Sequence, residues 1–177
     1  MIYPELHAHS CFSFLDGASQ PEEVAERAAA LGYETVALTD HDGLCGSLAF
    51  AHAAREVGLR AVTGAEITLA GGAHLTLLAE TAAGYRNLCR LITAAHAGDR
   101  RAPVATLDQV ARHADGLHCL SGCARHGVLA RPVSEGRLRE AEELAVRLRA
   151  MFGRDRFSVE LQRPYARGDA RRNRPAP

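Results

Sequence analysis

Lysine is missing from this chain: all 21 basic residues are arginine, and 21 acidic residues balance them to a net charge of zero. That balance excludes the broad basic footprint of a protein that coats nucleic acid. The arginine bias accompanies abundant alanine and glycine and locates no site, although the planar guanidinium suits phosphate recognition. No apolar run approaches the ~18 residues that a membrane-spanning helix needs, so no membrane crossing is expected. The opening residues, Met1-Ile-Tyr-Pro-Glu5, place no basic region before an apolar stretch. No secretory signal is therefore expected, and the chain reads as cytoplasmic. A disulfide framework is disfavoured as well. The five cysteines are Cys11, Cys45, Cys89, Cys119 and Cys123, an odd number with no signal peptide. Four of them are expected to be buried small apolar residues; Cys123 is set apart below.

What is present begins with length. At 177 residues the chain is one domain of ordinary size, able to bury roughly two thirds of its unfolded surface. Short β-type runs alternate with amphipathic helical runs. Strands are expected at Glu5–Ser10, Thr35–Thr39, Ala61–Leu69, His74–Ala79, Leu117–Ser121 and Phe157–Gln162. Helices are expected at Pro21–Leu31, Ser47–Val57, Tyr85–Ala95, Leu107–Ala114 and Leu138–Phe152. Ser19-x-x-Glu22 and Thr106-x-x-Gln109 read as capping boxes, with Gly32 and Gly116 as stops. In the last helix Leu138, Ala141, Leu144, Ala145, Leu148, Met151 and Phe152 share one face. This alternation predicts an α/β fold with a largely parallel sheet. Residues 1–162 form the domain. Residues 163–177, polar and arginine-rich, form a basic tail expected to be frayed.

The most informative residues are His7-Ala-His9. Side chains two apart on a strand share a face, and Asp16 and Thr39-Asp40-His41-Asp42 follow. Alone, the His pair would read as ordinary strand residues. Together, His7, His9, Asp16, His41, Glu66, His74 and Cys123 form a set of imidazole, carboxylate and thiolate donors suited to Zn²⁺, Mn²⁺ or Fe²⁺. Seven groups exceed one tetrahedral ion and fit a multinuclear cluster. Such a centre acidifies water and clamps the attacking and leaving oxygens of an in-line displacement at phosphorus, so phosphoester hydrolysis is its natural chemistry. His7 and His9 sit late in the first strand, Asp40 and His41 just past the second, Glu66 late in the third and Cys123 just past the fifth, as functional groups do in α/β barrels. His74, at the start of its strand, is the exception. Asp40 is expected to orient His41 or a neighbouring ligand from behind, or to accept at a strand-end turn. Asp42-Gly43 reads as turn chemistry. Arg125 is a second candidate for the chemistry, through contact with a phosphate; a plain surface arginine is the competing reading. His52, His96, His113, His118 and His126 read as structural or solvated.

His7-x-His9, Asp16-Gly17, Thr39-Asp40-His41, Gly64-x-Glu66 and Ser121-Gly122-Cys123 together resemble the PHP (polymerase and histidinol phosphatase) family. The run at 5–19, Tyr85-Arg-Asn-Leu-Cys-Arg-Leu-Ile and Phe157-Ser-Val-Glu-Leu-Gln are similar to the bacterial DNA polymerase III α subunits. Phe12-Ser-Phe-Leu is similar to their error-prone branch.

The resemblance implies a distorted (β/α)7 barrel with a trinuclear site of about nine ligands, seven of them matched by the residues above. It implies an error-prone polymerase acting in DNA replication, translesion synthesis and repair. The rest of that chain (thumb, palm and fingers) would be the partner, and DNA would be met through it. The family's last ligand pair, Asp-x-His on a later strand, is not found, so an incomplete barrel and a fragment of a longer nucleotidyltransferase are expected. The domain's own activity would be that of a metal-dependent phosphoesterase, as a 3′–5′ exonuclease or pyrophosphatase. A non-catalytic, metal-stabilised scaffold and a free-standing phosphatase of the histidinol-phosphate type are the alternatives.

Overall fold

Each expected strand and helix forms, and one short helix joins them. A computed structural model describes residues 3–162, so the expected basic tail at 163–177 lies outside the described residues. The order is β1 (Glu5–Ala8), α1 (Pro21–Ala30), β2 (Thr35–Leu38), α2 (Ser47–Glu56), β3 (Arg60–Thr68) and β4 (His74–Ala79). Then come α3 (Ala82–Ala95), α4 (Leu107–Arg112), β5 (Leu117–Leu120), α5 (Ala130–Ser134), α6 (Leu138–Phe152) and β6 (Phe157–Ser158). The strands form one mixed sheet in sequence order, curled as a half-barrel.

Local chemistry places most boundaries. Thr106 Oγ1 accepts from Gln109 N at 3.2 Å and Gln109 Oε1 accepts from Thr106 N at 2.7 Å, so the box that opens α4 is the expected one. At α1 the box slips by one residue, and Glu23 accepts from the Gln20 N–H at 2.8 Å. Pro21 takes the first helical position, where its missing N–H has no partner to lose. Helix α3 starts three residues before Tyr85 because Thr81 Oγ1 caps it, accepting from Gly84 N at 3.0 Å. The unexpected helix α5 contains Pro132 in its first turn, which hides it from a reading that treats proline as a breaker. Helix α6 buries Ala141, Leu148 and Phe152 as its period requires, whereas Leu138, in its first turn, stays exposed.

The sheet corrects the expectation of a largely parallel arrangement. Strands β1–β2, β2–β3 and β5–β6 are parallel, but β4 runs antiparallel to both β3 and β5. The link from Thr68 to His74 turns through Gly71 and Gly72, both at positive φ. It is far too short for a parallel crossover, which takes a dozen or more residues. This reversal removes the exception at His74. The start of an antiparallel strand lies at the same sheet edge as the ends of its neighbours.

Three apolar clusters hold the sheet. Phe50, Val36, Leu38, Ala25 and Ala54 fill the space under α1 and α2. Ile67, Leu75, Leu77, Leu88, Leu91, Leu117 and Leu148 pack β3–β5 against α3 and α6. Ala37, Leu78 and Leu120, with Leu6 and Val62, line the inner face. Of the cysteines only Cys119 is buried; Cys45 is exposed and Cys11, Cys89 and Cys123 are half-buried. The expectation of four buried thiols is thus corrected, because Cys11 and Cys45 sit on loops rather than on the inward period of an element.

Candidate metal centre

The ligand edge is built by strand ends and two pinned loops. Strand β1 shifts register between Glu5 and Ala8. Such an irregularity re-aims side chains, and here Leu6 reaches the inner cluster while Ala8 packs under α1 and α2. His7 and His9 face the same space, their rings 5.2 Å apart. The loop from Ser10 to Gly17 is tied to Asp40. The Asp40 carboxylate, 3% exposed, accepts from Ser10 N, Ser10 Oγ and Ser13 Oγ, each at 2.7 Å. Ser13 Oγ in turn accepts from His41 N at 3.2 Å. Gly17 closes the loop against Ser10, where an added Cβ would stand 1.9 Å from the Ser10 carbonyl oxygen.

Both non-glycine residues with positive φ among the described residues, Leu15 (69°) and Asp42 (49°), adjoin ligand candidates. Strain at such positions persists only where surroundings impose it. At Asp42 they do: its carboxylate accepts from Thr68 N at 2.8 Å and Thr68 Oγ1 at 2.7 Å.

Glu66 is the hub. Its Oε2 lies 3.2 Å from His7 Nε2, 3.1 Å from His9 Nε2 and 3.6 Å from His41 Nδ1, and its Oε1 lies 2.8 Å from His74 Nδ1. Asp16 Oδ2 bridges His9 Nδ1 at 3.0 Å and His41 Nε2 at 3.2 Å. Three donor sets result: His7–His9–Glu66, His9–Asp16–His41 and His41–Glu66–His74. They overlap through Glu66, His9 and His41. Within each, the donor atoms lie within 4.8 Å of one another, close enough to hold a metal ion.

The donors also fit a cation by what they lack. His9 Nε2 is buried with no hydrogen-bond partner, although Glu66 Oε2 is near. A buried polar atom without a partner is costly, and two lone pairs converging at this separation suit a shared cation better than each other.

Without a cation, protons hold the cluster together. Burial disfavours a charged His7, but the carboxylates of Glu160 and Glu66 outweigh it and push its pKa up to about 10. Burial likewise disfavours a charged Glu66, yet the imidazoles of His7, His74 and His9 hold its carboxyl well below the usual range. Hydrogen bonding to His41, then to His9, holds Asp16 low, and Glu66 raises His74. A metal must displace such protons, so uptake releases them.

All seven predicted donors line one cavity of 970 Å³. Cys123 stands on its wall outside the three donor sets, its Sγ accepting from His126 N at 3.1 Å. Arg125, exposed, lines the same cavity, whereas Asp40 does not. His52, His96, His113 and His118 lie away from the cavity; His126 lines it, its ring 5.5 Å from that of His74. His126 faces the site because His74 N donates to its carbonyl at 2.7 Å, a pairing no local pattern announces. Sequence reasoning also passed over Glu160, whose oxygens lie 2.8 and 2.9 Å from His7 Nδ1. The expected sixth strand ran to Gln162 and put Glu160 inside it, whereas β6 ends at Ser158 and leaves Glu160 just past that end.

The sequence of residues 5–164 matches the PHP domain. The chain belongs to the PHP domain family. This PHP domain is 42% identical, over 98% of the chain, to an error-prone DNA polymerase of Symbiobacterium thermophilum. It is 44% identical, over 97% of the chain, to an error-prone DNA polymerase of Mycolicibacterium paratuberculosis. The chain spans only 17% of the length of either polymerase. A solved structure assigned as a metal-dependent phosphoesterase from Bifidobacterium adolescentis shares 27% identity over 55% of this chain and 34% of its own, with a TM-score of 0.46. Among the described residues no helix is long and apolar enough to cross a membrane.

Proposed function

We propose that this chain is the metal-dependent phosphoesterase module of an error-prone DNA polymerase, holding a multinuclear set of divalent ions of the Zn, Mn or Fe type. The observation that carries this reading is the three overlapping donor sets, two of which share Glu66, with His9 Nε2 buried and making no hydrogen bond although Glu66 Oε2 lies 3.1 Å away. His7, His9, Asp16, His41, Glu66 and His74 would hold the ions, and Cys123 would complete the set from the cavity wall. Bound there, divalent ions would acidify water and offset charge on phosphate oxygens. The protein supplies the rest. Asp40 fixes the loop that follows His9 and carries Asp16, and Arg125 stands where it can meet a substrate phosphate. The substrate class is a phosphoester or phosphoanhydride of nucleic-acid chemistry, a 3′-terminal phosphodiester or pyrophosphate. The rest of the polymerase chain would be the partner, bringing DNA to the domain in the cytoplasm.

A scaffold reading is favoured by a different observation. The donors come from strands on both flanks of the sheet, so ions would tie those flanks together with no chemistry required. One experiment separates the two. Chelation and His9→Ala are each expected to abolish cleavage of a 3′-terminal phosphodiester or of pyrophosphate. Cleavage that survives both overturns the catalytic reading. A melting temperature that falls on chelation, with no cleavage under any of the three metals, supports the scaffold.

A further inference from the structure

We propose that Glu160 is a positioning residue: it locks His7 in the tautomer with its proton on Nδ1, so that Nε2 faces the donor cluster. The inference rests on the metal-centre reading above. Glu160 lies 153 positions from His7 in sequence, yet both of its oxygens reach Nδ1, at 2.8 and 2.9 Å. The opposite ring nitrogen, Nε2, lies 3.2 Å from Glu66. His7 is thus held between two carboxylates, Glu66, which belongs to two of the donor sets, and Glu160, which belongs to none. A metal-ligating histidine commonly donates its second N–H to a carboxylate, which fixes the ring and raises its basicity. Glu160 has the geometry of that partner.

Glu160 is itself held in place. Its N–H donates to Ser121 Oγ at 2.9 Å, and Gln162 Nε2 donates to its Oε1 at 2.6 Å. Gln162 Oε1 also accepts from Ala124 N at 3.2 Å. Ala124 lies between Cys123 and Arg125. The chain of contacts therefore links the loop bearing those two residues, through Gln162 and Glu160, to the first ligand of the sequence. The Glu160 side chain is 11% exposed and that of His7 6%, so water competes weakly for either group.

The test is Zn²⁺ and Mn²⁺ titration calorimetry on this chain, beside nitrogen-15 NMR of the histidine rings in the metal-loaded state. Glu160→Ala is expected to weaken metal binding by about 10- to 100-fold, the usual cost of losing such a partner. It is also expected to remove the Nδ1–H signature of His7. Glu160→Gln is isosteric and can still accept from Nδ1–H through its amide oxygen. It carries the test if the alanine variant does not fold, and is expected to keep the tautomer and lose about tenfold in affinity. Metal binding within twofold of wild type with an unchanged His7 signature overturns the inference. So does a lower melting temperature of the metal-free variant with affinity and tautomer intact, which is what a merely structural carboxylate would give. A wild-type chain that takes up no metal fells the metal-centre reading first, and this inference with it.

Discussion

The two flanks of the sheet reach the same edge by opposite routes. In the β1–β3 flank, parallel strands under α1 and α2 carry His7, His9 and His41 at or just past their carboxyl ends, where parallel strands deliver functional groups. In the β3–β5 flank, β4 runs backwards and presents His74 from its first residue. Strand β3 belongs to both, and Glu66 sits on it and touches donors from either side. The lesson is that a ligand edge is defined by position in space. A parallel β4 would have left His74 at the wrong end.

The largest expected effect removes what the flanks share. Glu66→Gln is expected to weaken divalent-metal binding more than 100-fold, since Glu66 serves two donor sets; binding within tenfold of wild type would show that the flanks hold ions separately. Next, the number of sets a residue serves should set its cost. His9 contributes to two sets and His74 to one. Elemental analysis should find His9→Ala losing more bound metal than His74→Ala, and equal losses would break the comparison.

Core truncations sharpen it further. Phe50→Ala, under α1 and α2, and Leu77→Ala, against α3, should each cost about 3–5 kcal/mol. Both residues are essentially inaccessible, at 1% and 0% exposure. Calorimetry is expected to show one lowered transition for either variant; two transitions would mean that the flanks unfold independently. Asp40→Ala leaves Ser10 N, Ser10 Oγ and Ser13 Oγ without their acceptor, and should cost about 2–4 kcal/mol in denaturant unfolding. The smallest effects test the helix starts. Thr106→Ala should cost about 1 kcal/mol, while Ser19→Ala should be nearly silent because the α1 cap falls on Gln20.

Much of this was legible in the sequence because it depends on short-range spacing. His7 and His9 share a face through the two-residue period of a strand, and the Thr106–Gln109 box opens α4 where expected. The α1 box slipped because Pro21 and Glu23 suit the later start equally well, and three residues of sequence cannot rank them. Helix α5 was missed because Pro132 reads as a breaker unless its place in the first turn is known. Glu160 and His126 were missed for a different reason: each meets the site through a partner distant in sequence.

The sequence by itself determined the element types, most of their boundaries and the residue types fit to hold metal. These follow from rotamer, period and capping preferences that act within about one helical turn. The short Gly71-Gly72 link already implied the reversal of β4; the tertiary structure alone decided the burial of Glu66 among four imidazoles and the meeting of His7 with Glu160 across 153 positions. Such contacts form only when packing of the whole sheet meets the entropic cost of closing long loops, and no local pattern encodes that balance.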